Sequence, residues 1–167
     1  MKSCIIETTL GWLGLVLAPA GLRAVTLPRP DRDAALREVL ALGAREAARI
    51  DELGDLPERL RRYARGAPVA CPDALDIAVA TPFQRAVWQA AREIPYGQTR
   101  SYGWLATKAG KPRAARAAGQ AMAANPWPII VPCHRVISSD GRLGGYGGGL
   151  AMKERLLRLE GVALPVS

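Results

Sequence analysis

Cys133 and His134 stand side by side, and His134 is the only histidine in 167 residues. They sit within Pro132-Cys133-His134-Arg135-Val136, behind the apolar run Ile129-Ile130-Val131 and ahead of a glycine-rich stretch from Gly141 to Gly149. A thiol, an imidazole and a flexible loop are the parts of a cysteine nucleophile site. The reactive form is the thiolate, so such a site needs a base or a positive field to make it.

On a regular strand, neighbouring side chains point to opposite faces. A direct Cys133–His134 hydrogen bond therefore requires a sharp turn; otherwise a water carries the proton between them. A carboxylate would orient the imidazole and support its cationic form. Glu160 and Glu154, on the expected last helix, are the acidic candidates, with Asp140 a third. Cys–His hydrolases take their histidine from a distant position, and this chain has no other. For an isolated Cys-His dipeptide the plainer reading is a small buried thiol beside a hydrogen-bonded core histidine.

The other two cysteines, Cys4 and Cys71, are far apart in the chain, and no Cys-x-x-Cys pair occurs. An odd count and a lone histidine argue against a disulfide framework and against a four-ligand zinc site. No metal is expected, and the usage fits a reducing compartment. Cys4 falls in an apolar strand-like run and Cys71 in a Pro-flanked linker, where both read as inert.

The elements that must carry Cys133 divide at the charge boundary. The first 79 residues hold 11 basic and 11 acidic residues, and the remainder holds 12 and 4, so the second half carries the whole net charge of +8. Such asymmetry suits a polyanion, most simply nucleic acid; a solubilising basic surface is the simpler alternative. At 49% hydrophobic residues the chain is globular rather than disordered. The apolar N-terminus is broken by Glu7, by two threonines and by glycine and proline turns, so it reads as a β-meander rather than a signal peptide. Its strands are expected near Cys4–Thr8, Trp12–Ala18 and Leu22–Leu27. No run approaches the ~18 apolar residues of a membrane span.

Past Pro28-Arg29-Pro30, Asp31 or Asp33 caps a helix with Leu36, Val39 and Leu40 inward. A second helix over Pro57–Ala64 turns Leu56, Leu60 and Tyr63 inward. Strands followed by helices give a small α+β domain over residues 1–78, and residues 79–167 form a second, mostly helical domain. There Thr81 and Pro82 start a helix that buries Phe83, Val87, Ala90 and Ala91. Ser101 caps a helix from Tyr102 to Lys108, with Leu105 inward. A Gly-containing turn leads to a further helix over Arg113–Ala124, and the pair reads as a helix-turn-helix. The second of these is almost all alanine and glycine, with Arg113 and Arg116 near its start. Small side chains permit close packing on a neighbouring helix or close approach to a DNA groove. Asn125-Pro126-Trp127-Pro128 stops that helix, Ile129–Val131 is expected as a short buried extended segment, and a last helix runs from Leu150 to Glu160 with Gly161 as its stop.

Several of these groups occur together in one pattern. Pro132-Cys133-His134-Arg135-Val136, preceded by Asn125-Pro126 and followed by Gly145-Tyr146-Gly147-Gly148-Gly149-Leu150, resembles the O6-alkylguanine-DNA alkyltransferase family, also called methylated-DNA–protein-cysteine methyltransferase. The likeness runs from Phe83 to Gly161 and includes Phe83-x-x-x-x-Trp88, Ile94-Pro95-Tyr96-Gly97, Ser101-Tyr102 and Arg116-Ala117. The first domain is similar to that family's ribonuclease-H-like domain.

The resemblance implies irreversible transfer of an alkyl group from guanine O6 to Cys133, once per protein molecule and without a cofactor, and leaves open whether thymine O4 is a further substrate. The partner is double-stranded DNA whose damaged nucleotide is flipped out of the stack. By position, Cys133 is the acceptor, His134 the water-linked base and Glu160 its orienting carboxylate. Arg116 fills the gap left by the flipped base, and Tyr102 lies beside its phosphate and donates to the ring. Ser101, Ala115, Ala117 and Gly119 complete the DNA-facing set, with the helix in the minor groove. Asn125 is the hinge that ties the recognition helix to the active-site segment, and Asn125, Val136, Tyr146 and Gly147 belong with Tyr102 to the base pocket. Gly147 stands where many members carry serine, so a side-chain contact is lost there. The N-terminal half has no histidine for the structural zinc of some members. A monomer in the cytoplasm is expected, with no membrane partner. Two rivals are a non-catalytic lesion-binding protein, which would lack the acceptor cysteine, and a helix-turn-helix regulator, which leaves Cys133-His134 unexplained.

Overall fold

The computed structural model describes residues 1–164; the end of the expected second domain, residues 165–167, lies outside that range. Two compact units divide at Ile77 and Ala78. Among the described residues no helix is long and apolar enough to cross a membrane.

The first unit opens with an antiparallel meander of β1 (Lys2–Thr8), β2 (Gly11–Ala18) and β3 (Gly21–Val25). The two-residue β4 (Glu46–Ala47) pairs parallel to β1, giving the order β3-β2-β1-β4. Central β2 is buried on both faces, which explains its unbroken apolar run. Helix α1 (Arg32–Ala41) is capped by Asp31, whose carboxylate accepts from the Ala34 N–H at 2.7 Å. It covers one sheet face, where Val39 joins Val16, Ala24 and Ala44, with Ile5 and Leu36 against them. Leu40, expected inward, is 44% exposed. It lies near the helix end, where Ala35 and Val39 already fill the contact with the sheet. Helix α2 (Leu56–Ala64) packs on β1 and buries Leu56, Leu60 and Tyr63 as expected. Cys4 is half-buried in β1.

The second unit begins with α3 (Pro82–Arg92), whose N-terminus is a full capping box. Thr81 Oγ1 accepts from Gln84 N at 3.1 Å, and Gln84 Oε1 accepts from Thr81 N at 2.9 Å. Val87, Trp88, Ala90 and Ala91 are buried, while Phe83 is only half-buried. The helix-turn-helix consists of α4 (Tyr102–Lys108) and α5 (Ala115–Ala123). Helix α5 starts two residues later than expected, which leaves Arg113 in the turn, because Ala114 N–H is taken by Lys111 O at 2.9 Å.

Two short strands bring the chemistry together. β5 (Arg100–Ser101) pairs parallel with β6 (Val136–Ile137), Arg100 opposite Val136. Tyr102 follows β5 and Cys133 precedes β6, and both line one cavity. Helix α6 (Leu150–Leu159) closes the unit with Glu160 as its C-terminal cap.

Residues 129–131 correct an expectation. They are buried but not extended. Ile129 has φ 75°, and the Val131 N–H reaches back to the Trp127 carbonyl at 2.8 Å, so the segment is a tight turn.

Candidate active site and DNA-facing cavity

Cys133, His134 and Arg135 form a single 3-10 turn. The chain therefore does bend sharply here, and the strand geometry that would oppose Cys133 and His134 does not apply. Cys133 is 9% exposed and His134 is fully buried. His134 Nε2 meets Glu160 Oε2, and both side chains are sealed from solvent. The other oxygen of Glu160 accepts from Arg135 Nε at 2.7 Å and from the Gly97 N–H at 2.9 Å. Gly97 is left-handed at φ 75°, which the Pro95-Tyr96-Gly97 turn needs to aim its N–H at the carboxylate. Glu154 and Asp140, the other acidic candidates, instead pair with Arg158 and Arg142 away from the thiol.

The charges follow from these contacts. Burial alone would raise the Glu160 pKa, but the hydrogen bond with His134 and the Arg135 cation hold it well below the usual carboxylate range. Burial pushes His134 below its ordinary value despite Glu160, so the imidazole rests neutral. Burial raises the Cys133 thiol, opposed by hydrogen bonding from Asn125 and Tyr146 and by the Lys153 charge. At rest the site thus holds a neutral thiol, a neutral imidazole and a carboxylate anion. That is a competent acid–base chain awaiting one proton transfer.

Lys153 was not singled out by the sequence. It is fully buried on α6, one helical face with Glu160. Its Nζ donates to Val136 O at 2.6 Å, to Gly145 O at 3.2 Å and to Leu143 O. It also lies 5.8 Å from the centre of the Tyr102 ring. Burial lowers its pKa to about 8, offset in part by Cys133. The only available signal was its spacing from Leu156, Leu157 and Glu160, which a solvent-facing lysine would not share.

Cys133 opens into a cavity of ≈ 680 Å³, within the range of a small-molecule site. Of the residues expected to act together, Tyr102, Ala115, Arg116, Gly119, Tyr146 and Gly147 line it. Gln120, Met122, Ala123 and Gly145 line it too and were not foreseen. The first three share the helical spacing of Ala115, Arg116 and Gly119 along α5. Ala118 and Ala121 of the same helix are buried on the side that packs, where Ala121 O accepts from Trp88 Nε1 at 2.9 Å. The small-residue helix therefore packs with one face and lines the cavity with another.

Four expected site residues fall elsewhere. Ser101 Oγ accepts from Trp104 N at 3.0 Å as the cap of α4, and Ala117 does not face the cavity. Asn125 and Val136, expected in the base pocket, are not among its lining residues. Asn125 instead holds the turn, donating to Val131 O at 2.9 Å and accepting from Trp127 N at 2.9 Å. Val136 is paired in β6, and its carbonyl is engaged by Lys153.

The Tyr146 hydroxyl is buried beside the Cys133 sulfur. Gly144 turns the loop at φ 71°; a Cβ there would stand 3.1 Å from the Tyr102 hydroxyl. Among the described residues no group of three or more His, Cys, Asp or Glu could hold a metal ion.

Known proteins resemble this chain along most of its length. The profile of the 6-O-methylguanine DNA methyltransferase DNA-binding domain matches residues 82–162. A methylated-DNA–protein-cysteine methyltransferase of Salmonella typhimurium is 54% identical over 112 residues, which span 66% of this chain and 65% of that protein. The crystal structure of Mycobacterium tuberculosis OGT in complex with DNA superposes with a TM-score of 0.76 at 36% identity, covering 96% of this chain and 93% of that one. The O6-methylguanine-DNA methyltransferase of Pyrococcus kodakaraensis, at 24% identity and a TM-score of 0.68, shares the fold over 96% of this chain. With the thiol, its acid–base chain and the helix-turn-helix all inside the matched region, the chain belongs to the O6-methylguanine-DNA methyltransferase family.

Proposed function

We propose that this protein repairs DNA by direct, irreversible transfer of a methyl or larger alkyl group from guanine O6 to Cys133, without a cofactor. The observation that carries the reading is the buried Glu160–His134 pair behind a thiol that opens into a cavity shared with α5. A lesion-flagging protein without chemistry has no use for an acceptor thiol backed by such a chain.

The helix-turn-helix binds duplex DNA and the damaged nucleotide leaves the stack, because O6 is out of reach inside it. Arg116, exposed at the start of α5 and on the cavity rim, takes the space the base vacates. The Cys133 proton passes through a water to His134, and the anionic Glu160 stabilises the imidazolium. Sulfur attacks the alkyl carbon as its bond to O6 breaks, and the electron pair goes to the guanine. Tyr102, at the ring, and Tyr146, at O6, donate hydrogen bonds to that developing charge. The product is a thioether, so each molecule acts once. The reducing cytoplasm suits the three free cysteines.

Mass spectrometry tests this directly. After incubation with duplex DNA containing O6-methylguanine, the Cys133 peptide gains one methyl group, and Cys133→Ser abolishes the gain. An unmodified Cys133 after prolonged exposure rejects the reading.

A further inference from the structure

Ile129 is the only non-glycine residue with positive φ among the described residues. Left-handed backbone is unfavourable for any L-residue and most unfavourable for a β-branched one. Such strain persists only where surroundings over-determine it. Here they do. The Val131 N–H is bonded to Trp127 O, spanning Ile129. Asn125 closes the turn from both sides, through Trp127 N and Val131 O. Trp127 is itself buried, edge-on to Trp88 with ring centroids 5.1 Å apart. Trp88 in turn is bonded to α5 through Ala121 O. Cys133 lies four residues beyond Ile129, and its N–H is bonded to Val131 O at 2.8 Å.

We infer that Ile129 is a positioning residue whose left-handed backbone, clasped by Asn125, sets the Cys133 sulfur in line with the alkyl carbon in the cavity. Relaxation to a right-handed or extended φ would rotate the chain by roughly 135° or more at this point and redirect everything between it and Cys133. A sulfur moved by about 1 Å loses about 10²-fold in transfer rate. The Asn125 clasp supplies the constraint, and the strain makes that constraint necessary. The inference rests on Cys133 as the alkyl acceptor.

The test contrasts glycine, which accepts positive φ freely, with alanine, which does not. Both remove the Ile129 side chain. Transfer from free O6-benzylguanine to Cys133 is measured for Asn125→Ala and for its combinations with Ile129→Gly and Ile129→Ala. Asn125→Ala slows transfer by about 10²-fold. Adding Ile129→Gly restores about tenfold of that, since the turn no longer resists its own geometry, and adding Ile129→Ala restores nothing. The single variants give an independent arm: Ile129→Gly melts above Ile129→Ala, the reverse of their order at an ordinary φ. Equal rates for the two double variants, or a higher melting point for alanine, overturn the inference. A wild-type protein that takes no alkyl group from the free base or from methylated duplex instead overturns the reading of Cys133 beneath it.

Discussion

Arg135 Nε lies 2.7 Å from Glu160 Oε1, so the carboxylate that faces His134 also carries a permanent cation. The arrangement keeps Glu160 ionised in a site sealed from water, and it prevents the carboxylate from simply taking the proton of its histidine. In the proposed mechanism this leaves the acid–base chain anionic at Glu160 and neutral at His134, ready for the proton that the thiol gives up.

The pH dependence of stability follows with a definite sign. The folded pKa of Glu160 lies well below its ordinary 4.5. Its contribution is complete above about pH 4.5 and disappears as pH falls through the folded value. His134 is also depressed, so below its ordinary value the unfolded chain takes up that proton first, which acts in the same direction. Urea midpoints measured from about pH 6 down to about pH 3 should fall for wild type, and its lead over Glu160→Gln should narrow across that range. A constant lead would show that the carboxylate charge contributes nothing.

Lys153 joins β6 to the pocket loop through the Val136, Leu143 and Gly145 carbonyls. Lys153→Met keeps the volume and removes the donors, leaving buried acceptors without their partner. Each such acceptor costs about 1–3 kcal/mol, and partial access to water at the loop reduces the sum to about 3 kcal/mol. Transfer to Cys133 should slow along with the loss of stability, because Gly145 and the neighbouring Tyr146 line the cavity. Thermal melting and single-turnover transfer on the same samples check both. Lys153→Met with wild-type values in each would mean that the loop holds itself.

What the sequence revealed, and what it concealed, divides along a physical line. The Thr81-Pro82 start with Gln84 three residues after the cap uses local side-chain bonds, and local bonds leave a local pattern. The Cys133-His134-Arg135 cluster is likewise contiguous, and Glu160 lay on a recognisable helix end. Ile129 was misread because a β-branched run ordinarily means extended backbone. Its left-handed turn depends on Asn125 and Trp127 acting together, which no periodicity encodes. Lys153 was missed because its acceptors are main-chain carbonyls, which have no residue type to recognise. Asn125 and Val136 were assigned to the pocket from the motif, whereas their contacts hold the turn and the strand pair that carry Cys133.

Arg116 should matter only when a base must be flipped. It is exposed, and it lines the cavity from the second position of α5. If Arg116 fills the stack as proposed, Arg116→Ala forfeits part of the few kcal/mol needed to unstack a base. Transfer from duplex O6-methylguanine should fall by about tenfold or more, while transfer from free O6-benzylguanine stays within about twofold. Parallel single-turnover rates on the two substrates decide it, and equal losses would place Arg116 in the chemistry rather than in the flipping.

Salt dependence tests the basic half as a whole. Four of its cations are matched to the four carboxylates of that half, Lys108 to Glu93, Arg135 to Glu160, Arg142 to Asp140 and Arg158 to Glu154. Lys111, Arg113 and Arg116, in and just after the turn between α4 and α5, are exposed and have no carboxylate within 4.0 Å among the described residues. Cations so placed release counterions from phosphates on binding, so the logarithm of the affinity for undamaged duplex should fall linearly with the logarithm of salt concentration. Removing one phosphate contact, as in Arg113→Ala, should reduce that slope by about 1 and weaken all sequences alike. Fluorescence anisotropy across a salt series measures both. An affinity indifferent to salt would assign the positive charge to solubility instead of to DNA.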